Sequence, residues 1–126
     1  MSMELNSLKE QKGLKMIREV RNITSEAHQT HSLFYNDVQA ELELRFIPQV
    51  GQWFISCTIG DKAIKNAKLS VGVLHMVSRN MPIDFIVVDN SGEDLDPFLS
   101  TDFTSGRCTL LMLDDESMTD LRGVEV

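Results

Sequence analysis

The stretch Val38-Gln39-Ala40-Glu41-Leu42-Glu43-Leu44-Arg45-Phe46 alternates without one exception between apolar and polar side chains. Successive side chains of a β-strand point to opposite faces, so Val38, Ala40, Leu42, Leu44 and Phe46 line one face and Gln39, Glu41, Glu43 and Arg45 the other. This is a half-buried strand of roughly 30 Å at ~3.3 Å per residue. Downstream, Trp53, Ile55, Cys57 and Ile59 share one face of Trp53 to Ile59, after the Pro48, Gln49, Val50 and Gly51 break. Proline and glycine between two alternating runs mark a hairpin. Its apolar rows predict a core of Leu42, Leu44, Phe46, Trp53 and Ile55, with the Trp53 ring sealing one end.

Working outward from the hairpin, Leu14 to Ile23 reads as a strand or short helix, with its β-branched residues favouring a strand. Thr24 to His31 reads as a polar connector, Ser32 to Tyr35 as a short strand and Asn36-Asp37 as a turn, which makes a three-stranded meander. Gly60, Asp61 and Lys62 form the next turn. Ala63 to Val77 alternates poorly, contains Gly72 at a point suited to a bend, and fits two short strands. Ile83 to Val88 has the pattern of a strand buried on both faces, and Arg107 to Leu113 that of a last strand. Between them runs a long Asp-, Ser-, Thr- and Gly-rich loop, Asp89 to Gly106. The fold class expected is all-β, a small antiparallel β-barrel or sandwich of about seven strands. Residues 1–13 read as a flexible arm, 14–113 as the β domain and 114–126 as an acidic tail.

Composition bounds the function. A chain of 126 residues with 42% hydrophobic and 25% charged residues suits one globular domain. No apolar run approaches the ~20 residues of a membrane span. Met1 to Lys15 lacks a hydrophobic signal core, so synthesis in a cytoplasm is expected. Cys57 and Cys108 sit within apolar runs and read as buried free thiols, not a disulfide. The net charge of -7 is uneven: residues 89–126 carry ten acids against two arginines. Phosphate binding depends on clustered Lys and Arg, which disfavours nucleic acid as a partner. An acidic surface suits solubility or docking on a basic protein.

Candidate chemistry is sparse. Asp89, Asn90, Ser91, Glu93, Asp94 and Asp96 cluster oxygens of the kind that hold calcium. An EF-hand loop counted from Asp89 would want glycine at its sixth place and glutamate at its twelfth, where Asp94 and Ser100 stand, so a solvated turn is the plainer reading. His28 and His31, near Glu26, lack a clear third zinc ligand. His75 reads as a hydrogen-bonded structural histidine. Ser105-Gly106 lacks a nucleophile elbow, neither cysteine sits in an electropositive setting, and no phosphate-cradling glycine loop is present. The sequon Asn22-Ile23-Thr24 has meaning only in a secreted protein. Neither a catalytic residue, a metal nor a cofactor is expected. Phe98 and Phe103 in the acidic loop either anchor a partner, with Asp94 and Asp96 beside them, or fold back over the core.

Taken in order, His28-Gln29-Thr30, Ser32 to Tyr35, the alternating strand ending Leu44-Arg45-Phe46, and Trp53 in the returning strand resemble the small baseplate plug proteins of contractile-tailed phages. Gly60-Asp61, Leu69 to Leu74, the Pro-led strand ending Val87-Val88-Asp89, the acidic loop and Arg107 to Leu113 extend the resemblance over about residues 17–113. The chain departs from that pattern before Met16, at Pro48-Gln49, and in the longer loop around Phe98. The resemblance implies a non-enzymatic virion subunit without cofactor, plugging or docking in the central hub near the tube end and spike. Its partners would be hub, tube or spike proteins, in multiple copies of a symmetric assembly, with no nucleic acid and no membrane. A small β-barrel module binding a peptide or small ligand is the alternative, and a metal-dependent hydrolase using His28 and His31 a more distant one.

Overall fold

The computed structural model describes residues 17–35, 38–76 and 81–114. The expected N-terminal arm, the Asn36-Asp37 turn and the acidic tail beyond Asp114 lie outside the described residues. Among these residues seven strands form: β1 (Ile17–Glu19), β2 (His28–Tyr35), β3 (Val38–Ile47), β4 (Gln52–Ile59), β5 (Lys62–Lys68), β6 (Ile83–Asp89) and β7 (Cys108–Asp114). They make two antiparallel sheets, one ordered β1-β7-β6 and the other β2-β3-β4-β5. The sheets do not close into a barrel, so the fold is sandwich-like.

The alternating rows decide the packing. Ala40, Leu42 and Leu44 of β3 and Trp53, Ile55, Cys57 and Ile59 of β4 are buried, and Phe46 is partly buried against them. The same buried cluster takes Ile83, Phe85 and Val87 from β6 and Cys108, Leu110 and Met112 from β7, so one core lies between the two sheets. Strict alternation also fixes register, because a slip of one residue would turn the Leu42 row to water. The β3 and β4 rungs run unbroken from Ala40 opposite Ile59 to Ile47 opposite Gln52.

Several expectations need correction. β2 begins at His28, so of the residues read as a connector Thr24 to Ala27 are one, but His28 to His31 are the first half of a strand. β1 spans only Ile17–Glu19 and pairs with β7, so it is not part of the meander; β2, β3, β4 and β5 are. The poor alternation after Ala63 has a local cause: the β4–β5 ladder shifts register between Ile55 and Cys57, and Asn66 takes a positive φ of 57° with its N–H on Ser56 Oγ. A bulge inserts a residue and breaks the two-residue period. Among the described residues only one strand forms there. Beyond it, the chain makes a single parallel bridge, Val71 to Val87. β6 is buried on both faces only over Ile83–Phe85, and Val88 is exposed.

Asp84 explains the two-sided burial at the start of β6. Its carboxylate is fully buried and accepts from the N–H groups of His75, Met76 and Phe85 at 2.7–2.9 Å. His75 completes the fastening: its Nε2 accepts from Ser70 N–H at 2.9 Å, which places the ring proton on Nδ1, 2.8 Å from Phe85 O. Buried polar groups need such partners, and these pin residues 69–76 along β6.

Candidate functional site

The loop joining β6 to β7, residues 90–107, crosses the sandwich end that carries the β3–β4 turn. Loops this long in a compact domain either carry function or lack order. This one is ordered by its acids. Asp89, the last residue of β6, accepts from Ser91 N–H, Ser91 Oγ–H and Leu95 N–H at 2.7–2.9 Å. Asp102 caps the turn before it, taking Phe98 N–H at 2.6 Å and Leu99 N–H at 2.8 Å.

Arg107 holds these two carboxylates together. Its guanidinium makes a two-pronged contact with Asp102, both bonds at 2.9 Å, and lies 3.1 Å from Asp89 Oδ2. It also donates to the carbonyls of Leu95 and Asp96 at 3.1 and 3.0 Å, and the Phe98 ring covers it at 5.0 Å. A planar fork with five donors suits this task, where an ammonium would satisfy one or two acceptors. The hydrogen bond from Ser91, the amides of Leu95 and Ser91, and Arg107 hold the Asp89 carboxyl down at about 2 despite burial. Burial pushes Asp102 upward, but Arg107 and the Leu99 and Phe98 amides outweigh it and keep that carboxyl below its ordinary value.

The loop is tied to the core through Trp53. The indole Nε1–H donates to Leu99 O at 3.0 Å, and the Phe103 ring stands edge-on to the indole at 5.3 Å and 87°. Asp96 adds a side tether, accepting from Val71 N–H at 2.8 Å and pairing with Lys68 at 3.3 Å. Gly51, at φ +60° in the β3–β4 turn, lies so close to Phe98 that a Cβ there would stand 3.4 Å from its carbonyl oxygen. Val50, next in line, is therefore displayed at the same end.

The two loop phenylalanines thus part ways. Phe98 remains 45% exposed beside Leu99 at 49%, whereas Phe103 folds inward onto Trp53. Asp94 is exposed at a positive φ of 57°, and Asp96 is half-buried and engaged. Leu95 and Leu99, which composition gave no reason to single out, stand exposed with Phe98. In the sequence Arg107 reads only as the start of a strand. One signal pointed to it: it is the sole basic residue between Arg79 and Arg122, amid the acids.

The other candidates separate. His28 and His31 lie on opposite faces of β2, His28 against Glu43 and His31 Nε2 2.8 Å from Gln29 Oε1, so they do not converge on one ion. Among the described residues, no three His, Cys, Asp or Glu side chains are grouped to hold a metal. Burial, aided by the charge of Asp84, pushes the Cys57 thiol up to about 12. Burial likewise raises Cys108 to about 11, against the opposing pull of Arg107. Protonated thiols are poor nucleophiles. No known family model matches the chain, and no curated protein matches it either.

Proposed function

We propose that this chain is a non-enzymatic structural subunit of a contractile phage tail baseplate, docking in the hub near the tube end and spike. The observation that supports it best is the residue 90–107 loop: a frame of internal ion pairs holding Leu95, Phe98 and Leu99 outward. Exposed apolar side chains grouped on a braced loop are the usual makings of a protein contact, because little ordering remains to be done on binding. The strand order that resembles the plug proteins supplies the rest of the reading.

A small-ligand module is supported less. The cleft between residues 19–23 and Phe103, Cys108, Thr109 and Leu110 holds about 210 Å³, below the ~300–1,000 Å³ usual for small-molecule sites, and the larger hollow of about 330 Å³ over Thr30, Glu41, Glu43, Ser56, Thr58 and Lys65 is lined almost wholly by polar side chains where such sites are mostly apolar. The deciding experiment is mass spectrometry of purified virions, with electron microscopy of tails assembled without the gene. The protein should be present in virions, and its loss should leave few intact, infectious tails. Normal infectious tails without it refute the proposal. Phe98→Asp with Leu99→Asp should fold normally yet be excluded from virions.

A further inference from the structure

The face of the β2-β3-β4-β5 sheet turned away from the core carries the larger hollow. Glu41, Glu43 and Arg45 of β3 alternate with the buried row, and across the rungs they stand opposite Thr58, Ser56 and Phe54 of β4. Thr30 of β2 lies opposite Glu43 on the other side. These side chains, with Lys65 and Asn66 of β5, surround the depression of about 330 Å³, and Arg45, Ile47, Phe54 and Asn66 line a second of about 190 Å³. Arg45 and Asn66 belong to both, so the two form one groove. From Glu41 to Ile47 it follows β3 for ~20 Å at ~3.3 Å per residue.

The bulge in β5 shapes this groove. Cys57 pairs with Ile64 and Ile55 with Ala67, so Lys65 and Asn66 both stand opposite Ser56, and both are exposed. Regular pairing would send one of the two to the core side, and bulges re-aim side chains in this way beside functional sites. The Asn66 N–H is held on Ser56 Oγ at 2.9 Å, which leaves the side-chain amide to the groove. Among the described residues, the side chains of Thr30, Arg45, Thr58, Lys65 and Asn66 have no hydrogen-bond or ion-pair partner. Glu41 accepts from Ser32 and Gln39 on one oxygen, and Glu43 meets His28 through one oxygen, so each carboxylate is oriented and keeps an oxygen to offer.

We infer that this groove binds a neutral oligosaccharide. Three properties select that chemistry. Glu41 and Glu43 balance Arg45 and Lys65, so the lining has no excess charge to favour an anion or a cation. Acceptors and donors lie side by side, which suits hydroxyl groups, since each donates one hydrogen bond and accepts two. The half-buried Phe54 ring, with Ile47 beside it, gives the C–H face of a sugar ring an apolar surface to pack on. A lining too polar for an apolar ligand is what a polyol requires, because every hydroxyl taken from water must find a partner. The site is independent of the baseplate reading and shares none of its docking residues.

The test is a titration of the isotope-labelled chain with maltohexaose, xylohexaose and chitohexaose, followed by NMR. At least one should bind with a Kd of about 0.1–1 mM, the range expected where hydrogen bonds to water are exchanged for hydrogen bonds to protein at small net gain. It should shift the amide signals of Glu43, Arg45, Ser56 and Asn66. Phe54→Ala should weaken that binding about tenfold by removing the packing surface. Asn66→Gly should do the same with an unchanged circular dichroism spectrum, because glycine accepts the positive φ of 57° that Asn66 holds. Where Phe54→Ala does not fold, Asn66→Gly decides alone. Absence of binding by all three sugars up to about 10 mM overturns the inference. So does tighter binding of a heparin hexasaccharide, which would make the groove an anion site. Signal changes confined to residues 90–107, or wild-type affinity in the folded variants, overturn it as well.

Discussion

Replacing Trp53 by alanine tests the link between core and loop. The indole is fully buried, with Phe46 at 5.4 Å and Phe103 at 5.3 Å between ring centroids, and its N–H is bonded to Leu99 O. Burying an indole removes ~200–250 Å² from water, worth ~5–6 kcal/mol at ~25 cal/mol per Å² as an upper bound. Measured Trp-to-Ala losses, which include partial collapse of the cavity, run about 3–5 kcal/mol. The expected loss is in that range. For a domain of this size it corresponds to a fall in Tm of about 10–20 °C. Urea unfolding followed by far-UV circular dichroism measures it, since Trp53 is the only tryptophan and its fluorescence is lost with the substitution. Trp53→Phe separates the two contributions: it keeps an aromatic ring but removes the indole donor, leaving Leu99 O with the Asp102 N–H at 3.1 Å, for a loss of about 0.5–1.5 kcal/mol beyond the smaller packing. Hydrogen exchange should then rise at Leu99 and its neighbours before it rises in β3. A Trp53→Ala loss under about 1 kcal/mol would refute the placement of the indole as the pillar between core and loop.

Leu42→Asp puts an unpaired charge on the buried face of β3 and should abolish the cooperative urea transition, whereas Glu43→Gln removes only an exposed partner of His28 and should change stability by less than about 1 kcal/mol. Similar effects from the two would mean the strand faces the other way. Acid should loosen the loop: the folded Asp89 carboxyl, at about 2, lies below the ordinary carboxylate value of ~3.9, so its contribution is complete above pH ~4 and is lost as pH falls towards 2. Asp89→Asn should flatten the stability profile across that interval, and an unchanged slope in urea titrations would count against the Ser91 and Leu95 hydrogen bonds as what holds the carboxyl down. Calorimetric titration with calcium should show no micromolar binding, because Asp89, Asp96 and Asp102 already engage N–H and cationic donors. Binding abolished by Asp94→Asn would contradict this.

The sequence by itself determined the hairpin. Two-residue alternation from Val38 to Phe46 and from Trp53 to Ile59 is a local signal with one structural solution, so the two strands and their buried faces were readable before any fold. The identity of the central core followed, since Leu42, Leu44, Trp53 and Ile55 had only one side on which to be buried. Where the period broke, local reading failed for a stated cause: the bulge at Asn66 hid the single strand β5, and the polar residues of β2 hid a strand whose exposed face is legitimately polar. Which sheet β1 joins was not local information at all, because three residues carry no record of the partner 94 positions away. The candidate site shows the same division. That the residue 90–107 loop is acidic and bears two phenylalanines is written in the chain. That Phe103 turns in and Phe98 out, and that Asp89 and Asp102 converge on Arg107, depends on three-dimensional proximity. Charges far enough apart in sequence to be read as a solvated loop become a clamp only when the antiparallel pairing of β6 with β7 brings Asp89 opposite Cys108, beside Arg107.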